Sequence, residues 1–223
     1  MNFWRAVAAI VWKDIRAELR TKDIFSSMFV FALLAVIVFN FAFELRVPSM
    51  KMVAPGIVWV AITFAGTLGL NRAFVIEQDK GSLAGLLLAP VDRSAIYFGK
   101  MLGNLLFITI VEIILLPLVM IFFNLSLLTG PHLLAIFLGT FGFAAVGTIF
   151  SAIAVNTRAR EVLLPILLFP VLLPVLITGV KLTGGLLDGE PLESLRNWLQ
   201  LIVLYNIGFT VLAYLTFGFV MEE

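Results

Sequence analysis

The chain has 223 residues, 61% hydrophobic and only 13% charged, with a mean hydropathy of +1.10. A soluble domain is about 45–50% apolar and about 25% charged, so these proportions exclude an ordinary globular fold and point to an integral membrane protein. A net charge of +1 gives no overall pull toward nucleic acid, and the lack of cysteine removes disulfides, thiolate nucleophiles and cysteine metal sites.

Residues 1–23 read as an amphipathic helix. Charges recur through the segment, so it is not expected to be a cleavable signal. At about 100° per residue, Trp4, Val7, Val11, Ile15 and Leu19 fall on one stripe, with Arg5, Lys13, Arg16 and Arg20 grouped opposite. Glu18 and Lys22 intrude on the apolar side. Such a helix is expected to lie in the membrane interface with its basic face toward anionic headgroups, either as a topogenic anchor or as a docking surface for a partner.

Six apolar runs follow, each long enough for a bilayer span of roughly 20 residues. The expected spans are 24–43, 53–70, 101–123, 133–155, 162–180 and 198–221. In the second, Ala61, Ala65 and Gly69 recur every four residues, and the fourth carries Ala135/Gly139 and Gly147/Ser151, small pairs that permit close helix contact. The third should bend near Pro117. The fifth, with Pro165, Pro170 and Pro174, should be kinked or broken. Residues 181–197 read as a longer loop able to dip back into the interface.

Lys and Arg set the orientation. Residues 1–23, 71–100 and 156–161 hold five, four and two of them; the loops on the other side hold two, none and two. Eleven against four predicts a single membrane domain with both termini cytoplasmic.

The main cytoplasmic loop is then Glu77–Lys100, EQDKGSLAGLLLAPVDRSAIYFGK. Half of it is apolar, so it is not a plain solvated loop. Gly81 should break the helix leaving the second span, Leu83 to Leu88 can form one or two apolar turns, and Pro90 stops them. Asp92 or Ser94 can cap the helix that leads into the third span. This helix–break–helix suits insertion of Leu83, Leu86 and Leu87 into a groove on a soluble partner; the other reading is an interfacial helix resting on headgroups.

No catalytic set can be assembled. The sequence lacks HExxH, GxSxG and the GxxxxGK[ST] phosphate-binding loop, so the chain is not expected to be an enzyme or to hydrolyse ATP by itself. His132, the one histidine, reads as a metal or haem-iron ligand or, more simply, as a polar helix end. Glu112 lies mid-span, where a charged carboxylate costs roughly 2.5–3.5 kcal/mol on insertion scales. It must be part of a translocation path or proton relay, or a neutral acid hydrogen-bonded to a neighbouring helix.

The pattern Phe74-x-x-Glu77-x-x-x-Gly81-x-Leu83-x-x-Leu86-Leu87-Leu88-Ala89-Pro90, running on to Tyr97-x-Gly99-Lys100, resembles the haem exporter protein B (CcmB) family. One departure is Ala84, where the family pattern implies an acidic residue and hence a charge contact to the partner. The resemblance covers essentially the whole chain. It implies an all-α membrane protein with the fold of an ABC type 2 exporter permease, in the bacterial inner membrane, working as a homodimer.

It further implies a separate CcmA-like ATPase subunit that binds ATP, CcmC-like and CcmD-like membrane subunits, and an indirect link to a periplasmic haem chaperone. Glu77, Gly81, Leu83, Leu86, Leu87, Pro90, Asp92 and Arg93 would belong to a coupling helix docked in the ATPase, and residues 1–23 to an interfacial elbow helix. No cofactor is expected on this chain alone. Haem is the implied cargo, either passing through this subunit or released with its chaperone at the expense of ATP. An ABC type 2 permease for lipid, polysaccharide or drug, or an ion-coupled secondary transporter using Glu112, are the other readings.

Overall fold

The structure is a computed structural model that describes residues 2–43, 46–79, 81–155, 157 and 159–221. Met1, Glu44, Leu45, Lys80, Asn156, Arg158, Glu222 and Glu223 lie outside the described residues, as do the side chains of Ile76, Leu83, Ala84 and Leu87. Eight α-helices make up the described chain: α1 (Phe3–Thr21), α2 (Asp23–Phe43), α3 (Ala54–Asp79), α4 (Ser82–Leu88), α5 (Arg93–Phe123), α6 (Gly130–Val155), α7 (Arg160–Leu187) and α8 (Arg196–Val220). Six of them, all but α1 and α4, are long and apolar enough to cross a membrane. The protein is an all-α, multi-pass membrane protein.

Helix α6 is the centre of the bundle and packs against α3, α5, α7 and α8. It can hold four neighbours because small residues line it; Gly139, Ala144, Ala145, Gly147, Ser151 and Ala152 are all buried. The indole of Trp59 on α3 lies so close to Gly139 that a Cβ there would overlap its ring, and Leu70 fills the same role at Gly147. Trp59 is 2% exposed, and its ring N–H donates to Thr183 Oγ1 of α7 at 3.1 Å. With few apolar driving forces between helices in lipid, this shape-matching and the occasional interhelical hydrogen bond hold the bundle together.

Several helices run beyond the apolar segments. Helix α3 continues to Asp79, α5 begins at Arg93, and α7 runs without interruption through Pro165, Pro170 and Pro174 to Leu187. Pro117 likewise sits inside the continuous α5. Prolines are tolerated in such helices because neighbours and local adjustments satisfy the freed carbonyls. The expected loop from residue 181 is therefore helical over its first seven residues. It stops where the chain can turn left-handed: Gly189 has φ +83°. Gly189 N–H donates to Leu186 O at 3.1 Å and Glu190 N–H to Gly185 O at 2.9 Å, the paired bonds of a Schellman ending.

Helix α1 divides into three arcs instead of two. Ala6, Val7 and Ile10 are buried against the start of α5, where Ile10 packs on Gly99. Trp4, Trp12 and Leu19 are exposed, forming an open apolar arc, and Arg5, Arg16 and Arg20 form the basic one. Of the stripe expected from periodicity, Trp4 and Leu19 are exposed, Val11 and Ile15 are half-buried and Val7 is buried. The arc that packs internally also carries Asp14 and the adjoining Lys13, which the apolar pattern could not single out because they are charged.

Candidate functional site

The corner joining α3, α4 and α5 is built from turn chemistry. Gly81 adopts φ +65°, a left-handed conformation that favours glycine, and its N–H donates to Gln78 O at 3.0 Å. Ser82 Oγ donates back to Glu77 O at 3.3 Å. Helix α4 then makes seven residues and gives way to extended backbone at Ala89, just before Pro90. Of the two expected caps, Asp92 is the one used: its Oδ1 accepts from Ser94 N–H at 2.9 Å and from Ser94 Oγ at 2.5 Å. Those two bonds hold the Asp92 carboxyl below the usual carboxylate range. Arg93 reaches across to donate to Gly218 O of α8 at 2.9 Å.

The faces of α4 are unequal. Leu86 is half-buried and packs against the core formed by Phe74, Ile96, Tyr97 and Phe217. Leu88 is 87% exposed, the most exposed of the large apolar residues in the described chain. An apolar side chain projecting from a short helix at one end of the bundle is the surface a soluble partner could cover.

Behind α4 lies a cluster of four charges. Lys100 on α5 is 2% exposed. Its Nζ lies 2.9 Å from Glu77 Oε1 of α3 and 3.1 Å from Asp14 Oδ2 of α1, and donates to Ala73 O at 3.0 Å. The Phe74 ring lies 5.3 Å from the same ammonium. Lys13 pairs with Glu77 and lies 3.2 Å from Asp14. Partial burial and the neighbouring Lys100 push the Lys13 ammonium below its ordinary range, while Asp14 draws it back up. Glu77 is itself 7% exposed, and its Oε2 has no hydrogen-bond partner among the described residues. A cavity of about 330 Å³ opens beside these groups, with Arg72 also on its wall.

This arrangement ties three helices at one point. Buried charges are tolerated only when paired and hydrogen-bonded, and each of α1, α3 and α5 supplies a charge that the others neutralise. Glu18 adds a second tie, because it accepts from Phe25 N–H at 2.7 Å and so fixes the bend between α1 and α2. Glu77, which the resemblance places in the coupling segment, pairs within this chain with Lys13 and Lys100.

Deeper in the bundle, α5 and α6 share two hydrogen-bonded rungs. Thr140 hydroxyl bonds Glu112, and Asn104 Nδ2 donates to Thr148 Oγ1 at 2.9 Å. Both pairs are eight residues apart on their helices, as antiparallel neighbours require. Glu112 is fully enclosed, 4% exposed, with a hydroxyl as its partner. His132 is buried at the far end of α6, where Nδ1 lies 2.7 Å from Thr129 Oγ1. Among the described residues no group of three or more His, Asp or Glu could hold a metal ion.

The structure therefore brings Glu77, Lys13 and Lys100 together, sets Gly81 and Pro90 at the two ends of α4 and Asp92 at the start of α5, and leaves Glu112 and His132 far from that corner. Sequence reasoning missed Asp14 and Lys100 as members of the cluster. The one available signal was the pairing of opposite charges on segments predicted to emerge on the same side of the membrane.

Comparison with known proteins bears on this geometry. The family model described as CcmB protein matches residues 5–221. The chain belongs to the CcmB protein family. Curated relatives include "Heme exporter protein B" of Rhodobacter capsulatus, 27% identical over 189 residues, covering 83% of this chain and 85% of that protein. The protein of the same name from Pseudomonas aeruginosa is 26% identical over 202 residues, 90% of this chain and 91% of its own length. That from Escherichia coli K12 is 28% identical over 104 residues, 47% of this chain and 46% of that protein. The CcmB match thus includes all six long helices, the α4 corner and the charge cluster.

Proposed function

We propose that this chain is the transmembrane subunit of an ABC transporter that serves haem export. The observation that carries the reading is the CcmB match, which runs through almost the entire chain, together with relatives whose name states haem export. The chain has no phosphate-binding loop of its own, so ATP is hydrolysed on a separate subunit, similar to CcmA, and this chain transmits movement without bond-making chemistry. It assembles as a homodimer, with CcmC-like and CcmD-like subunits beside it, in a bacterial inner membrane with both termini cytoplasmic.

Helix α4 is the coupling helix. Its exposed Leu88 supports docking in a groove of the ATPase, in the helix-in-groove manner. Leu83, Leu86 and Leu87 remain part of the proposed coupling segment, with Leu86 acting from the protein side as the anchor of α4 to the core. The charge cluster explains how movement leaves α4: Glu77 precedes it by a few residues, and through Lys100 and Asp14 any displacement is passed to α5 and to α1 together. Helix α1 is the interfacial elbow, with Arg5, Arg16 and Arg20 toward headgroups and Trp4, Trp12 and Leu19 in the acyl boundary.

Haem is the cargo, carried across by this subunit or released with its chaperone through the work of the ATPase. Affinity isolation of the tagged chain from native membranes tests the assignment. A P-loop ATPase and haem-handling membrane subunits should co-purify, and ATP turnover should belong to the ATPase. A chain that functions with no ATPase attached would instead favour ion-coupled transport through Glu112.

A further inference from the structure

A groove of about 410 Å³ runs between α3 and α7, at the end of the bundle opposite α4. Its walls include Gly56, Trp59, Phe64, Phe169 and Leu173, and among the described residues Lys181 is the only charged one that lines it. Val60, Phe64, Leu173 and Ile177 are exposed along its length, so the groove opens sideways, toward the bilayer. The polar groups nearest its floor are already used: Trp59 donates to Thr183, and Thr63 Oγ1 donates to Trp59 O. Nothing inside asks for a polar ligand.

Its dimensions match one leaflet. From Phe169 to Lys181 the helix climbs twelve residues, about 18 Å, against roughly 15 Å for half of a 30 Å hydrocarbon core. Lys181 also lies about 30 Å along α7 from Glu161, so the two charges mark the two faces of the core. An apolar slot one leaflet deep, with a single cation at headgroup height, is complementary to an acyl chain attached to an anionic headgroup. Lys181 forms no ion pair among the described residues, so its charge is available to a ligand.

We propose that this groove binds one anionic phospholipid of the leaflet opposite α4, an acyl chain lying along Trp59, Phe64 and Phe169 and the phosphate meeting Lys181. The rigid wall is what makes the site selective. Phe64 and Phe169 stand edge to face with ring centres 5.4 Å apart, and Trp59 is wedged against Gly139 and Gly179. A lipid held here would lie across both α3 and α7, lining the outer side of a seam where the two helices already pack directly on each other.

The test uses the protein purified with its co-isolating subunits, delipidated and offered an equimolar mixture of phosphatidylglycerol and phosphatidylethanolamine, with retained lipid counted by native mass spectrometry. Wild type should keep phosphatidylglycerol in preference. Lys181→Glu should lower that retention roughly fivefold, as expected for one basic residue at an anionic surface. Gly56→Trp should displace both lipids, and it is tolerable because a Cβ at Gly56 meets nothing within 4 Å. Equal retention of the two lipids by wild type, or unchanged retention in Lys181→Glu, overturns the proposal. So does efficient disulfide linkage between copies of an Ile177→Cys variant in native membranes, which would put a second chain in the groove.

Discussion

Lys100 and Glu112 lie on one helix, twelve residues and about 18 Å apart, and both are almost wholly buried. Their surroundings differ in kind. Lys100 stands among two carboxylates, a carbonyl and an aromatic face, contributed by α1 and α3. Glu112 faces a single hydroxyl from α6. The comparison shows two ways of placing an ionisable group inside an apolar protein. Near the end of the bundle, where chain segments from several helices converge, charge is cancelled by charge. At mid-span only a helix neighbour is within reach, and the group is accommodated by a hydrogen bond.

The consequence is a difference in how much each site ties together. Removing Lys100 leaves buried Glu77 and half-buried Asp14 with Lys13 as their only cationic partner among the described residues, and breaking a buried pair by removing one member costs about 3–5 kcal/mol. Lys100→Met should therefore give the largest loss of melting temperature in detergent of any substitution considered, with α1 becoming accessible to proteolysis. A loss equivalent to less than about 1 kcal/mol would mean that the cluster does not hold the three helices, since exposed pairs contribute no more than that.

Glu112 should be less costly and more discriminating. Glu112→Leu leaves the Thr140 hydroxyl buried without a partner, worth about 1–3 kcal/mol. Glu112→Gln retains a hydrogen-bonding group of the same shape and should leave thermal stability within about 1 kcal/mol. If the glutamine variant keeps its stability and loses transport, the carboxyl does more than pack, and the contrast with Lys100 becomes one of function as well as of environment.

The smallest expected effect is at the corner itself. Asp92→Ala removes the cap of α5 and should cost about 1 kcal/mol. The Asp92 carboxyl is held below its ordinary range by Ser94, so its contribution is fully present above the unfolded-state value and is lost as pH falls through the lower folded one. Thermal melts in acid should therefore converge for wild type and Asp92→Ala, and separate again toward neutral pH.

How much of this was legible in the sequence follows from the range of each interaction. The six long helices announce themselves as uncharged runs, the ends of α4 are written in Gly81 and Pro90, and the start of α5 in Asp92, each acting within two or three residues. The resemblance of the loop to the CcmB pattern was likewise local. The charge cluster was not legible, because residues 13–14, 77 and 100 come together only through packing, and in a linear reading Glu77 is simply an acid in a loop. Helix α1 was half legible: its basic arc was evident, but periodicity cannot tell which apolar arc meets protein and which meets lipid. The seven helical residues after Val180 were hidden because Gly184 and Gly185 resemble a loop, and only contacts to Pro55 and Leu195 show what they pack against.

The central claim is that α4 presents its outer face to a soluble ATPase while its inner face and the charge cluster hold it to the bundle. Leu88→Asp tests this most directly, because Leu88 is exposed and its replacement should leave the fold untouched. The measurement is the amount of ATPase recovered with the affinity-tagged chain from native membranes, normalised to the chain itself. The account predicts a folded variant, with an unchanged melting temperature, that recovers little or no ATPase. Recovery equal to wild type would contradict it.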